Sequence, residues 1–521
     1  MIAIKVGDKF LDLYPNTKIR LEFESNLLTY ECKLPQSYSL PFAIPDTQNN
    51  RQIFQHLHLI NSATTQVDIR NAQLLVARNY YRDCTIYCRK YSEKSYFINL
   101  YLNDSAVWDL IDEPIRRLLF GGSYVYWQGL TLGSIMAAMD SKATIPSNWN
   151  QKFVFPQLIS KDYIPGYSNY SGYINAWNRA AAQYERPNTD NIYDAFTPIF
   201  FLKWVLAECF KNVPFFSLAG GINGGGSWWN EPGTNVMLLY NNYTISRSST
   251  LEPDWVDGIT VANHLPDISL KELIKSICGL MNLVPRFINA TNTMEFVSKN
   301  DIMDMPPERD LTHAVLRAYE GEVSPRIKFN FAYPNKPFGD VNSQIPLLSG
   351  LTPADVTFKA ETLAPGYVPE GQDPPDFEFP VFPDTAASKL LPQDNSAFAG
   401  ISDSRFTNIR LGYWRGLTTL PPPYKQEAIP HAAHYLNSPN DLADNFELSK
   451  LIPYRFGKFQ QYMQGARLVK RRFKFNITDF LNFDIYKVYR IANVDFLVDK
   501  YVVELDMFKR EIEVEAELWR L

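Results

Sequence analysis

Six histidines, five cysteines and 56 acidic residues are the side chains here that could carry chemistry, and their spacing decides what kind. His431-x-x-His434 sets two imidazoles three residues apart. A zinc helix needs histidines at i and i+4 with a glutamate beside the first, and both requirements fail here. His56 and His58 would share one face of an extended strand, but no third ligand lies near them in sequence. With His264 and His313 isolated, ordinary loop and surface histidines are expected, and no metal. Cys84 and Cys88 could share a strand face, whereas Cys32, Cys209 and Cys278 are scattered. An odd, dispersed set of this kind reads as reduced, partly buried thiols in a protein made in a cytosol.

Other catalytic patterns are also missing. The stretch GGINGGGSWWN lacks the Gly-Lys-Ser/Thr ending of a phosphate cradle, so it reads as a flexible loop. No G-x-S-x-G elbow occurs. Acid pairs suited to glycosidase work, such as Asp109 with Asp112 or Glu113, can be chosen anywhere in so acidic a chain and acquire meaning only from a separation. Tryptophans and tyrosines crowd residues 120–250, where their faces could stack on sugars, although packing within an irregular domain is the favoured reading. No enzymatic activity and no cofactor are expected.

One electrostatic pattern rises above this background. Period-two alternation puts Glu511, Glu513, Glu515 and Glu517 on one face of a strand. Lys470, Arg472 and Lys474 alternate in the same way upstream. Four aligned carboxylates repel, so they must face water or opposite charges. Two readings follow: the wall of a water-filled channel, which is slightly favoured, or a salt ladder between strands.

The elements that would position these rows are mainly β, with α+β parts. Aromatics at 14% favour strands, and 35 prolines point to many loops and sheet edges. A net charge of −5 argues against duplex nucleic-acid binding, which needs a clustered basic surface. No apolar run approaches the ~20 residues of a membrane span, and MIAIKVGDKFLDLYP reads as a first strand rather than a signal peptide. Residues 1–102 and 446–521 carry short alternating strands and are expected as two small barrels, the second a meander. Between them, residues 259–332 hold a capped helix and hairpin. Ser269 and Glu272 form a capping box, Ile268 and Leu273 a staple, and Asn282 stops the helix. Residues 103–258 read as an aromatic-rich α+β insertion with helices over Asp112–Leu119, Leu130–Met139 and Pro198–Phe210. Residues 333–445 read as a proline-rich arm in which a regular sheet is not expected.

The helix–hairpin phrase ISLKELIKSICGLMNLVPRFINATNTMEFV, between a β-barrel N-terminus and a β-meander C-terminus, resembles the hub proteins of phage tails and related injection machines. SLPFAIPDTQNNRQIF is similar to phrases in tail proteins encoded by Bacteroidetes phages and prophages. The resemblance covers about half of the chain and rests on patterns of fold rather than catalytic residues. It implies a homotrimer at the distal end of the tail tube, with two barrels per chain forming a pseudo-sixfold ring. Implied partners are the tail tube or a distal tail protein, the tape-measure protein, peripheral tail-tip or fibre proteins, and DNA passing without specific binding. The implied location is the virion tail tip, after synthesis in the bacterial host cytoplasm. A strand ending at Leu521 leaves no C-terminal lysin domain, and the two insertions have no counterpart in the family. The rival reading is a carbohydrate-binding or carbohydrate-cleaving receptor-engaging surface protein built on the aromatic insertion.

Overall fold

Alternation in Lys18–Glu24 buries Ile19, Leu21 and Phe23 and leaves Lys18 and Arg20 exposed on the opposite face. In the computed structural model this strand pairs antiparallel along its whole length with Val494–Asp506, from Lys18 opposite Asp506 to Glu24 opposite Lys500. The two ends of the chain therefore meet in one ladder. The structure describes residues 2–25, 27, 29, 32–55, 67–77, 79–92, 94–102, 108, 111–120, 125–127, 130, 132–143, 151–159, 172–185, 196–211, 213, 228–241, 243–245, 259–288, 293–318, 327–334, 341–342, 351–367, 378–381, 391–392, 409–419, 428–506, 509 and 511–521.

Among the described residues that ladder belongs to a 14-stranded sheet. Its path runs from Lys9–Phe10 through Ile2–Val6, Val67–Val76, Asn79–Ser92, Ser95–Leu102, Gln36–Ser39 and Lys18–Glu24. It continues through Val494–Asp506, Ile512–Arg520 and Arg467–Phe475 to Val315–Ala318. One core lies beneath both halves: Ile4, Leu21, Leu74 and Ile98 share a cluster with Phe473, Val503 and Val514. Phe23 stacks on Tyr501 across the junction, ring centroids 4.3 Å apart. The modules expected as two barrels thus lie side by side as halves of one mainly β sheet. Joining two amphipathic half-sheets edge to edge removes two exposed edges and gives both apolar faces a common interior. The proline-bearing strand Phe42–Pro45 pairs with Ser95–Leu102 off the main path.

A second core gathers the middle of the chain. Leu270–Met281 is an α-helix whose Ser269 Oγ accepts from the Glu272 amide at 3.2 Å, while Glu272 Oε2 accepts from the Ser269 amide at 3.4 Å. Asn282 ends it in the left-handed conformation, φ 53°. Leu283–Ile288 and Thr293–Ser298 then pair from Leu283 opposite Ser298 to Ile288 opposite Thr293. Leu273, Ile274, Ile277 and Leu280 pack in the same cluster as Phe200, Leu238, Leu411 and Trp414.

That cluster corrects the expectation for residues 333–445. Ile409–Thr419 is an eleven-residue strand. It pairs with Met237–Leu239, Ala360–Thr362 and Ala428–Ala433, so the aromatic insertion and the proline-rich arm share one sheet. The prolines cluster in PPDFEFPVFP and LPPPY, whereas Ile409–Thr419 contains none, so its amides are free to build a ladder. The helix expected over Pro198–Phe210 also begins later. Ile199–Phe201 is a strand paired with Phe153–Val154 and Met237–Leu239, and the helix is Leu202–Lys211. The other two helices occupy Ile115–Phe120 and Leu132–Ala143. No helix among the described residues is long and apolar enough to cross a membrane.

Candidate functional site

The acidic and basic rows lie on adjacent strands. Ile512–Arg520 pairs antiparallel with Arg467–Phe475, which sets Lys470 opposite Glu517, Arg472 opposite Glu515 and Lys474 opposite Glu513. The ammonium of Lys470 is 2.9 Å from Glu517, and the guanidinium of Arg472 is 3.1 Å from Glu515. Lys474 reaches diagonally to Glu511 at 2.5 Å. Ile512, Val514, Ala516 and Leu518 alternate with the glutamates and are buried, so the carboxylates have only the outer face available.

On its other side the acidic strand pairs with Val494–Asp506, placing Lys500 opposite Glu517 and Glu504 opposite Glu513. Lys500 bridges onward to Glu24 at 2.7 Å and Glu22 at 3.3 Å, while Lys18 reaches Glu504 at 2.8 Å. Burial disfavours the Lys500 ammonium, but its hydrogen bonds to Glu24 and Glu22 outweigh that and raise its pKa. Lys18 is raised by its hydrogen bond and charge contact with Glu504. Tyr38 extends the polar surface by donating to Glu22 Oε2 at 3.2 Å, and its ring lies 6.3 Å from that of Tyr101. Arg20, Arg472, Glu504, Lys509, Glu513 and Glu515 line a shallow depression on this face.

The arrangement is a wide, hydrated face with charges of both signs in columns. Opposite charges in register attract across neighbouring strands, so each column is held against the next. The sequence pattern singled out the two adjacent columns on Ile512–Arg520 and Arg467–Phe475. It missed Lys18, Glu22, Glu24, Lys500 and Glu504, although KIRLEFE carries the same period of two.

No protein-family model matches the sequence, and no curated protein matches it. Among solved structures, the chain is similar to the 43 kDa tail protein of prophage MuSo2 from Shewanella oneidensis, at 9% identity and a TM-score of 0.37, over 99% of this chain and 97% of that one. It is also similar to a tail protein from Neisseria meningitidis MC58, at 10% identity and a TM-score of 0.35, over 99% and 95% of the two chains. A third likeness is to the PdpA–VgrG complex of Francisella, at 8% identity and a TM-score of 0.28, over 100% of this chain and 52% of that one.

The remaining chemistry-bearing residues are spread through the fold. His264 is buried, with Nδ1 3.2 Å from Asn241 Oδ1. His431 is buried with Nδ1 3.2 Å from Arg415, and His434 sits edge-on to Tyr435 with centroids 5.0 Å apart. Burial, helped by the Arg415 charge, pushes His434 down to about 4. Among the described residues no group of three or more His, Cys, Asp or Glu could hold a metal ion. Asp112 is paired with Lys271 at 3.2 Å. His56, His58, Asp109 and most of GGINGGGSWWN lie outside the described residues.

Proposed function

We propose that the protein is a non-enzymatic structural component of a phage tail, a hub or tail-tip adaptor that works as a homotrimer. The observation that carries this reading is the full-length pairing of Lys18–Glu24 with Val494–Asp506, which makes both chain ends into one sheet with a buried apolar face and a charge-laddered outer face. A curved sheet of this kind would serve as one segment of such a ring. Three copies would enclose a lumen lined by the Lys470–Glu517 columns, where alternating charges hold water and give passing DNA no basic track. The capped helix and hairpin at Leu270–Ser298, with the terminal β-modules, supply the resemblance to tail hubs. The second core, with its six-stranded sheet, would sit outside the ring and meet the distal tail protein, tape-measure protein or peripheral tip proteins.

The carbohydrate reading needs exposed flat aromatics. Trp177, Tyr184, Trp204, Trp228 and Trp229 of the aromatic insertion are buried, so those rings serve the core instead. Light-scattering mass of the pure protein tests the proposal. A trimer is expected, and a monomer at concentrations where tails assemble would overturn it.

A further inference from the structure

Leu442 and Tyr454 are large apolar side chains that the fold leaves exposed, at 51% and 41%. A single exposed leucine needs no account, but these two stand on rigid supports that touch each other. Leu442 tips a loop whose base is closed by Tyr435 pairing with Asn445. Asn445 donates from Nδ2 to the Pro439 and Asp441 carbonyls, at 3.0 Å each. The Leu436 amide donates to the Asp444 carbonyl at 3.0 Å, and the Asp441 amide to that of Ser438 at 3.1 Å. The loop is braced from within.

Tyr454 sits at the middle of a π-helical turn, Ile452–Phe456, between the helices Leu448–Leu451 and Gly457–Gly465. Such turns are rare and gather at functional sites. This one is held by two asparagines distant in sequence. Asn282 and Asn300 both donate from Nδ2 to the Arg455 carbonyl, at 2.7 and 3.2 Å. The Arg455 guanidinium lies 4.9 Å from the Tyr454 ring centroid and donates to both carboxylate oxygens of Glu231, one at 2.9 Å. Asp444, two residues after Leu442, packs its carboxylate against Gly233, two residues after Glu231. The loop and the π-turn meet through that contact. Arg455 is buried against Glu231, whereas Asp441 and Asp301 are exposed and Asp444 is half-buried, so carboxylates predominate at the surface.

We propose that Leu442 and Tyr454 form a docking surface for a basic segment of another protein, one that carries an apolar side chain between lysines or arginines. Leu442 and Tyr454 would cover the apolar side chain, while the flanking cations meet Asp441, Asp444 and Asp301. Charge complementarity selects that occupant over an acidic one. Both anchors are held in place beforehand, so binding orders little of this chain. The surface rests on the proposed tail role only for which protein supplies the segment, and it needs no trimer.

The test titrates the full chain into a dye-labelled peptide of alternating lysine and leucine, read by fluorescence anisotropy. Saturable binding that weakens with salt is expected. Leu442→Ala with Tyr454→Ala should weaken it about tenfold or more at an unchanged melting temperature. Leu442→Ser alone, at the loop tip, repeats the test should the π-turn prove sensitive. A lysine–serine peptide should bind about tenfold less tightly, and a glutamate–leucine peptide not at all. Failure of the lysine–leucine peptide to bind would overturn the proposal. So would undiminished binding to the double variant, which places the peptide elsewhere, such as on the Lys470–Glu517 columns. Self-association of the unaltered chain that both variants abolish would assign the surface to a second copy and overturn it too. A monomer that binds the peptide through Leu442 and Tyr454 would overturn the trimer and leave this surface standing.

Discussion

Lys470 and Glu517 stand directly opposite each other on neighbouring strands with Nζ and Oε1 2.9 Å apart, and the same charge pairing recurs two residues along as Arg472 with Glu515. Because both strands alternate with period two, one such contact in register dictates the next. Their wet setting limits the energy. Exposed pairs contribute about 0–1 kcal/mol each, and salt weakens them further.

Glu513→Lys with Glu515→Lys should therefore cost about 1–3 kcal/mol, since attraction becomes repulsion at two positions of the ladder. Urea unfolding at low and high salt measures this, and the loss should shrink at high salt. The added reversal Arg472→Glu should recover part of it. In the proposed ring the variant still forms trimers, while genome delivery falls because the lumen now attracts DNA. Unimpaired infectivity in a folded trimer would count against a lumen-facing ladder.

Glu361 and Arg410 form a different kind of pair, 2.8 Å apart with side chains 1% and 6% exposed. They sit opposite each other in the parallel ladder between Ala360–Thr362 and Ile409–Thr419. Arg410→Met alone should cost about 3–5 kcal/mol, because it strands a buried carboxylate. The double replacement with Glu361→Leu should recover most of that loss. Equal destabilisation by single and double variants in chemical unfolding would refute this account.

Periodicity alone reached the capped helix, the hairpin and the charge alternation of Glu511–Glu517 and Lys470–Lys474, because each depends on neighbours within a few residues. Ser269 and Glu272 are three positions apart, and the spacing of Glu511, Glu513, Glu515 and Glu517 determines their common face. What periodicity could not supply was pairing over long sequence distances. Nothing local in KIRLEFE says that Arg20 will face Glu504. Proline content misled for the same reason: it counted residues over a hundred-residue window, whereas the ladder at Ile409–Thr419 needs only a proline-free run and a partner such as Met237–Leu239.

Gly412 gives a steric prediction. A Cβ there would lie 2.5 Å from Tyr240 Oη and 2.6 Å from its Cε2, within a buried strand pair. Gly412→Ala should destabilise by about 1–3 kcal/mol through overpacking. Combining it with Tyr240→Val should cost less than the sum of the two single changes, since the clash is then absent. Additive losses in a thermal-unfolding cycle would show that the ring yields without strain.

Two groups, buried His434 and half-buried Asp499, respond to pH in opposite directions. Burial, with the nearby Arg415 charge, holds His434 down to about 4 against an ordinary 6.5. The unfolded chain takes up that proton first, so the contribution is complete above pH 6.5 and is lost as pH falls through 4. Asp499 is pushed up to about 6 from 3.8, first by burial and then by the Glu517 and Glu24 charges. Here the folded state holds the proton more tightly, so its contribution is complete below pH 3.8 and is lost as pH rises through 6. Each shift corresponds to about 3 kcal/mol, and over pH 4–6 the two slopes largely cancel. Replacing each group separately exposes the other. Relative to the unaltered protein, Asp499→Asn should gain stability as pH rises from 4 to 6, whereas His434→Gln should lose it. Urea midpoints at half-unit pH steps give both difference curves. A flat curve for either variant would show that its side chain titrates as it does in the unfolded chain.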